Sequence, residues 1–172
     1  MTVTSGDGRE VVLAVLGPGE LLGELSAIDG APRSAAAGAL GPVQLTAIDV
    51  ARFNAFVDAH HDVAVALLRC VAVRLRQASR RQVEFGTVDA LGRVCGRLTE
   101  MMDRYGHPDG PHIDIVAPLS QSEVGGWAGL SREAVVKALA SLRALGWVST
   151  KGRTITVLDP AAVRARAQAT LD

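Results

Sequence analysis

The tightest constraint on this chain lies near its C-terminal end, in the stretch LSQSEVGGWAGLSREAVVKALASLRALG from Leu119 to Gly146. Ser120-Gln121-Ser122-Glu123 has the S-x-x-E spacing of a capping box, in which serine and glutamate side chains each satisfy a backbone N–H of a starting helix. That helix is short, Gln121 to Ala128, because Gly129 stops it. Ser131 offers a second N-cap, and Arg132-Glu133-Ala134-Val135-Val136-Lys137-Ala138-Leu139 continues as a helix to about Leu145, ended by Gly146. Two helices joined by so tight a turn form a helix-turn-helix. Gly125 falls where the helices must approach closely, Gly129 at the turn, and Val135 where a buried aliphatic is required.

Beyond Gly146, Trp147 to Thr150 and Arg153 to Leu158 alternate around a Lys151-Gly152 turn, as the strands of a β-hairpin wing do. The chain as a whole carries 18 basic and 18 acidic residues, so its net charge argues for no polyanionic partner. Locally the balance changes: from Ser120 to Leu158, Arg132, Lys137, Arg143, Lys151 and Arg153 face only Glu123 and Glu133. Placement supplies the chemistry. Residues opening the second helix enter the major groove of DNA first, where Arg132 can grip guanine O6 and N7, Glu133 can accept from cytosine N4, and Lys137 can reach a guanine or a phosphate. Gln121, Ser131 and Lys151 suit phosphate contacts. A purely structural alternative, a Glu133–Lys137 ion pair on a solvated helix face, leaves Arg132 and the wing unexplained.

Upstream the sequence is helical. Asp49 to Phe56 reads as a short helix, Asp62 to about Phe85 as a long one, and Val88 to about Tyr105 as a third. Leu68, Val71, Leu75, Ala78, Gln82 and Phe85 step alternately by three and four, which is a coiled-coil seam with Arg74, Arg76, Arg80 and Arg81 on other faces. The spacing predicts a homodimer, with Gln82 the weak position. The alternative is that the stripe docks on the preceding domain. Gly106 to Pro111 reads as a loop.

The first ~50 residues carry short strand signals punctuated by glycine, as in a small barrel or roll. Val11 to Leu16 is an apolar run between Gly6-Asp7-Gly8 and Gly17-Pro18-Gly19, and Val43 to Ile48 alternates. Between them stands GELSAIDGAPRSA, residues 23 to 35. Glycine lets backbone N–H groups approach a ligand and arginine matches phosphate geometry, so this stretch is either a plain turn or a cradle for an anion.

Other chemistries find little footing. Hydrophobic residues make up 48% of the 172, enough for a core, yet no apolar run reaches the ~18 residues that span a bilayer. Cys70 and Cys95 lack metal-ligand spacing, and His60, His61, His107 and His112 offer no third ligand, so no metal site is expected. A reducing cytoplasm is the compartment this cysteine usage suits. No nucleophile–base pair or carboxylate dyad suggests an enzyme.

The order of roll, short helix, seam helix, helix-turn-helix and wing resembles the cyclic AMP receptor protein (Crp–Fnr) family of bacterial transcription regulators. The matching pieces are GPGELLGELS with RSA after it, DALGRV, and LSQSEVGGWAGLSREAV, and the likeness runs from Gly6 to Leu158. The resemblance implies an α+β chain: a partial cyclic-nucleotide-binding, jelly-roll-like β-roll over 1–57, a dimerisation helix over 58–86, a winged helix-turn-helix over 87–160 and a tail over 161–172, helical or frayed. It implies that Gly23, Glu24, Leu25, Arg33 and Ser34 form a phosphate-binding cassette, with cyclic AMP or another cyclic nucleotide as effector. The adenine-contacting Thr-Ser pair of the family falls on Ala78 and Ser79, so only the serine is present. Expected partners are a pseudo-palindromic duplex DNA, a second copy of the chain, and RNA polymerase. Family sensor domains begin several strands before the position of Thr2, so the N-terminal strands are expected to be missing. The rival readings are an effector-independent regulator with a relic cassette and a nucleotide-binding module without specific DNA binding.

Overall fold

The computed structural model describes residues 1–4, 6, 10–116, 119–151 and 154–169. Arg153, Gly152 and part of the Gly6-Asp7-Gly8 turn lie outside these, as does the side chain of Gln121.

The C-terminal head is organised around helix α4, Ala90–Tyr105, which Asp89 opens by accepting the Gly92 N–H at 2.8 Å. One stripe of α4, Val94, Cys95, Leu98, Met101 and Met102, is buried at the i, i+3, i+4 spacing of a core-facing helix. Strands β3 (Gly106–Asp109) and β4 (His112–Val116) follow, then helices α5 (Gln121–Ala128) and α6 (Arg132–Ala144), and strands β5 (Val148–Lys151) and β6 (Thr154–Val157). The four strands form one antiparallel sheet in the order β3-β4-β6-β5. The expected wing is thus half of a larger sheet, and the expected Gly106–Pro111 loop is a correction. Gly106 to Asp109 pair residue by residue with Ile115 to His112, and the chain turns at Gly110 with φ 57°. Loop-like composition loses here because Ile115, alternating along β4, is fully buried on the core.

The tail is also part of the head. Helix α7, Pro160–Gln168, is capped by Asp159, buries Val163 and lies along α4. Arg164 pairs with Asp103 and Arg166 with Asp89, both at 2.6 Å.

Helix α3, His61–Thr87, is 27 residues and so about 40 Å long. It carries two stripes. Val63, Leu67, Cys70, Arg74, Gln77 and Arg81 face the rest of the chain, while Leu68 and Leu75 of the seam point outward, 69% and 66% exposed. No described helix is long and apolar enough to cross a membrane.

The N-terminal segment is sparse. Strands β1 (Thr2–Thr4) and β2 (Glu10–Val12) pair antiparallel, and Thr2 bridges Ala36. The apolar run leaves strand conformation after Val12, and Val43–Ile48 forms no strand, correcting the expectation there. Alternation needs a partner ladder, and none of the described residues supplies one. Helices α1 (Glu24–Asp29) and α2 (Val50–Ala59, capped by Asp49) complete it. Its β2 packs against α5, and Val12 and Val15 join the core of the head.

Candidate functional site: a DNA-reading face and an anion cradle

The capping box at α5 is realised: Glu123 accepts the Ser120 N–H at 2.6 Å and Ser120 Oγ accepts the Glu123 N–H at 3.2 Å. A Cβ on Gly125 would stand 3.1 Å from both the Leu130 carbonyl and Val135, so the two helices meet there as the motif requires. Ser131 Oγ accepts the Ala134 N–H at 3.2 Å and opens α6. From that start Arg132, Glu133 and Lys137 project together into solvent. No Glu133–Lys137 ion pair exists among the described residues, so the structural alternative lacks its contact. Hydrogen bonds from its own backbone N–H and the Ser131 hydroxyl hold the Glu133 carboxyl below its ordinary range, keeping it an acceptor at neutral pH. Val136 shares this face, 42% exposed, an apolar residue that the reading of charges overlooked. Arg143 points elsewhere, donating to Thr150 Oγ1 at 3.2 Å and tying α6 to β5. Lys151 is exposed at the end of β5.

The last turn of α3 grips this head. Gly129 adopts φ 62°, and a Cβ on it would overlap the Phe85 ring. Arg93 donates to the Gly129 carbonyl at 3.3 Å with its guanidinium 5.7 Å from that ring's centre. Buried Arg97 pairs with Glu84 at 2.8 Å and sits 5.6 Å from the Trp127 ring centre. Phe85 therefore does more than extend the seam: its ring covers the turn of its own helix-turn-helix. Period reading could not show this, since it places residues on faces of one helix only.

Against the middle of α3, Gly23 adopts φ 85° and starts α1, and the Arg33 guanidinium donates to its carbonyl. Leu22, Gly23, Glu24, Leu25, Ser26, Arg33 and Ser34 line a cavity of about 300 Å³. Glu24 is the unusual member, a carboxylate only 5% exposed. Its Oε1 accepts from Arg74, which also donates to the Leu21 carbonyl at 2.6 Å, while the buried Oε2 has no partner among the described residues. A buried carboxylate oxygen without a donor is costly, and a ligand hydroxyl would satisfy it, so the donor set fits a cyclic nucleotide. Arg74, seen in the sequence as one of several arginines off the seam, is the residue missed at this site. Ser79 stands apart from this cavity within the one chain. It is exposed and does not line the cavity. Five residues beyond Arg74 on a 3.6-residue helix, it is turned about 140° away.

A winged helix-turn-helix clasped by a long helix, with a candidate anion cradle against the middle of that helix, defines a DNA-binding regulator with an attached N-terminal segment. Comparison with known proteins agrees. Residues 92–166 match the Crp-like helix-turn-helix domain and residues 1–60 the cyclic nucleotide-binding domain. The CRP-like cAMP-activated global transcriptional regulator of Mycobacterium tuberculosis is 31% identical over 162 residues, 94% of this chain and 72% of that protein. The cAMP-activated global transcriptional regulator Vfr of Pseudomonas aeruginosa is 31% identical over 90% of this chain and 74% of its own. Among solved structures, the CRP-family regulator TTHB099 of Thermus thermophilus superposes with a TM-score of 0.81 at 24% identity, covering 99% of this chain and 84% of that one. FixK2 of Bradyrhizobium japonicum gives 0.72 at 23% identity, covering 95% and 79%. The chain belongs to the Crp family of DNA-binding transcription regulators.

Proposed function

We propose that the protein acts as a homodimer on a pseudo-palindromic operator and that a cyclic nucleotide at the Gly23–Ser34 cradle governs it. The observation that carries the effector half is Glu24: buried, held on one oxygen by Arg74, and open on the other. In this reading the backbone at Gly23 and the Arg33 guanidinium, which among the described residues bonds only a carbonyl, hold the phosphate. Glu24 takes a ribose hydroxyl and Ser34 adds a donor. Leu25 lines the same cavity. Cyclic AMP is the first nucleotide to test, because relatives are named for it. Ser79, turned outward beside Ala78, can meet a nucleotide only across a dimer.

The outward stripe of Leu68, Val71, Leu75, Ala78 and Phe85 supplies that dimer's seam, and two α6 helices then fall about one DNA turn apart. Arg132, Glu133 and Lys137 read base edges, Val136 adds an apolar contact suited to a thymine methyl, and Ser131, Gln121 and Lys151 hold phosphates. In this reading RNA polymerase is the downstream partner and the cytoplasm the location, by analogy with the family. An effector preferring one arrangement of α3 would shift the head's population through the Phe85 and Arg97 contacts.

Calorimetry with cyclic AMP and cyclic GMP tests the effector. Binding that Glu24→Gln and Arg33→Gln both abolish is expected; absence of heat with either nucleotide leaves an effector-independent regulator. Selection from random duplexes tests the rest, the expected product being a two-fold symmetric site.

A further inference from the structure

A second cavity, about 480 Å³, lies on the inward stripe of α3, away from both the seam and the cradle. Its walls are the chain segment Ala14 to Leu21, the α3 residues Val63, Leu67, Cys70, Val73, Arg74, Gln77 and Arg81, and Glu100 and Arg104 of α4. It shares no lining residue with the cradle, and the Arg74–Glu24 ion pair stands between the two. We propose that this cleft is a second effector site, taking a small organic anion with one carboxylate head on an apolar body.

The charge on its walls argues for the head. Arg69, Arg74, Arg81 and Arg104 face Glu20 and Glu100, so cations are in excess. Two of the arginines are committed, Arg74 to Glu24 and Arg104 to Glu20 at 3.3 Å and Glu100 at 3.7 Å. Arg81 is not: its bonded partner is the Leu13 carbonyl, and among the described residues no carboxylate comes within ion-pair distance. Burial, opposed by the more distant Glu100, pushes its pKa down, the mark of a guanidinium short of a counter-charge. An unpaired guanidinium in a half-enclosed site binds a carboxylate with two parallel N–H···O bonds. Val15, Leu16, Leu21, Val63, Leu67 and Val73 supply the apolar wall, and the volume lies within the range of small-molecule sites. An occupant would touch the N-terminal segment, α3 and α4 together, the three parts whose relative placement sets the head.

Cys70 makes the test site-specific. It is half-buried on the cleft wall, whereas Cys95 is fully buried and its thiol is pushed up to about 11, so only Cys70 should react near neutral pH. The experiment follows iodoacetamide labelling of Cys70 in the full chain by mass spectrometry, with 2-naphthoate as probe and uncharged 2-naphthamide as control. Naphthoate should slow labelling several-fold at saturation and naphthamide should not. Arg81→Gln should raise the concentration needed for protection about tenfold, as loss of a charged hydrogen-bond partner does. Arg81→Lys should restore part of it, and the cradle variant Arg33→Gln should leave protection by naphthoate as it is in the unsubstituted protein. Far-ultraviolet circular dichroism and a cooperative urea transition report that each variant is folded. The proposal falls if naphthoate gives no protection, if naphthamide protects equally well, or if Arg33→Gln removes protection while Arg81→Gln keeps it. Because the cradle is assayed separately with cyclic nucleotides, failure of either site is distinguishable from failure of the other.

Discussion

In the head, Val94, Leu98, Val135, Leu142 and Val163 have no exposed surface, whereas in the N-terminal segment Leu45 is 76% and Val43 and Ile48 are each 59% exposed. Both regions are rich in aliphatic residues, so composition does not separate them. What separates them is cover. In the head each apolar face meets another: α4 is enclosed by α5, α6, α7 and the sheet, and the interior closes. Among the described residues of the N-terminal segment the sheet amounts to a three-residue ladder and one bridge, too little to bury both faces of anything. Stability therefore resides in the head, and the segment that carries the cradle takes its order from α3, from the Val12 and Val15 anchor, and from whatever binds it.

That contrast can be broken most directly by truncation. Leu142→Ala should cost roughly 2–5 kcal/mol in urea unfolding, while Leu45→Ala should change stability by less than about 0.5 kcal/mol. Equal costs would mean the N-terminal segment closes a core of its own. Next comes the joint between the regions. Gly129→Ala forces a side chain into the left-handed region and onto the Phe85 ring, at a cost of about 1–3 kcal/mol. In a Phe85→Ala background much of that cost should vanish, and a double-mutant cycle measures the coupling. Strict additivity would mean Phe85 does not hold the turn.

On the DNA side, Arg132→Ala should lose roughly 1–3 kcal/mol on the selected operator and relax one base pair. Lys151→Ala should instead weaken all sequences alike and lower the salt slope by about one. Reversed behaviour would exchange their roles. The smallest effect concerns Cys95, whose folded pKa is about 11 against an ordinary 9.0 because burial disfavours the thiolate. A raised folded pKa contributes stability that is complete below the unfolded value and is lost as pH rises through the folded one. Melting temperatures of the native protein and Cys95→Ala should therefore converge between pH 9 and about 11.

How much could be read in advance differs between the two regions for the same reason. Capping boxes, terminating glycines and the seam spacing are local patterns, decided within a few residues, so α3, α5, α6 and the hairpin β5–β6 were legible, as was the exposure of Arg132, Glu133 and Lys137 on α6. That Gly23, Glu24 and Arg33 share one cavity was legible only through their resemblance to a cassette. Strand β3 was not, since its ladder depends on a partner that composition does not announce. Nor was the failure of Val43–Ile48 to pair, although its alternation promised a strand.

By itself, then, the sequence determined the helix-turn-helix, its charge and its place at the end of a long amphipathic helix, because hydrogen-bonding caps and helical period act over one or two turns. Only the tertiary structure decided that Arg74 reaches back to Glu24, that Phe85 sits on Gly129, that Arg97 links Glu84 to Trp127, and that the Ala161 tail belongs to a helix of the core. Those contacts join residues 13 to 77 positions apart, and which of several equivalent arginines or apolar residues makes them is set by how whole elements pack.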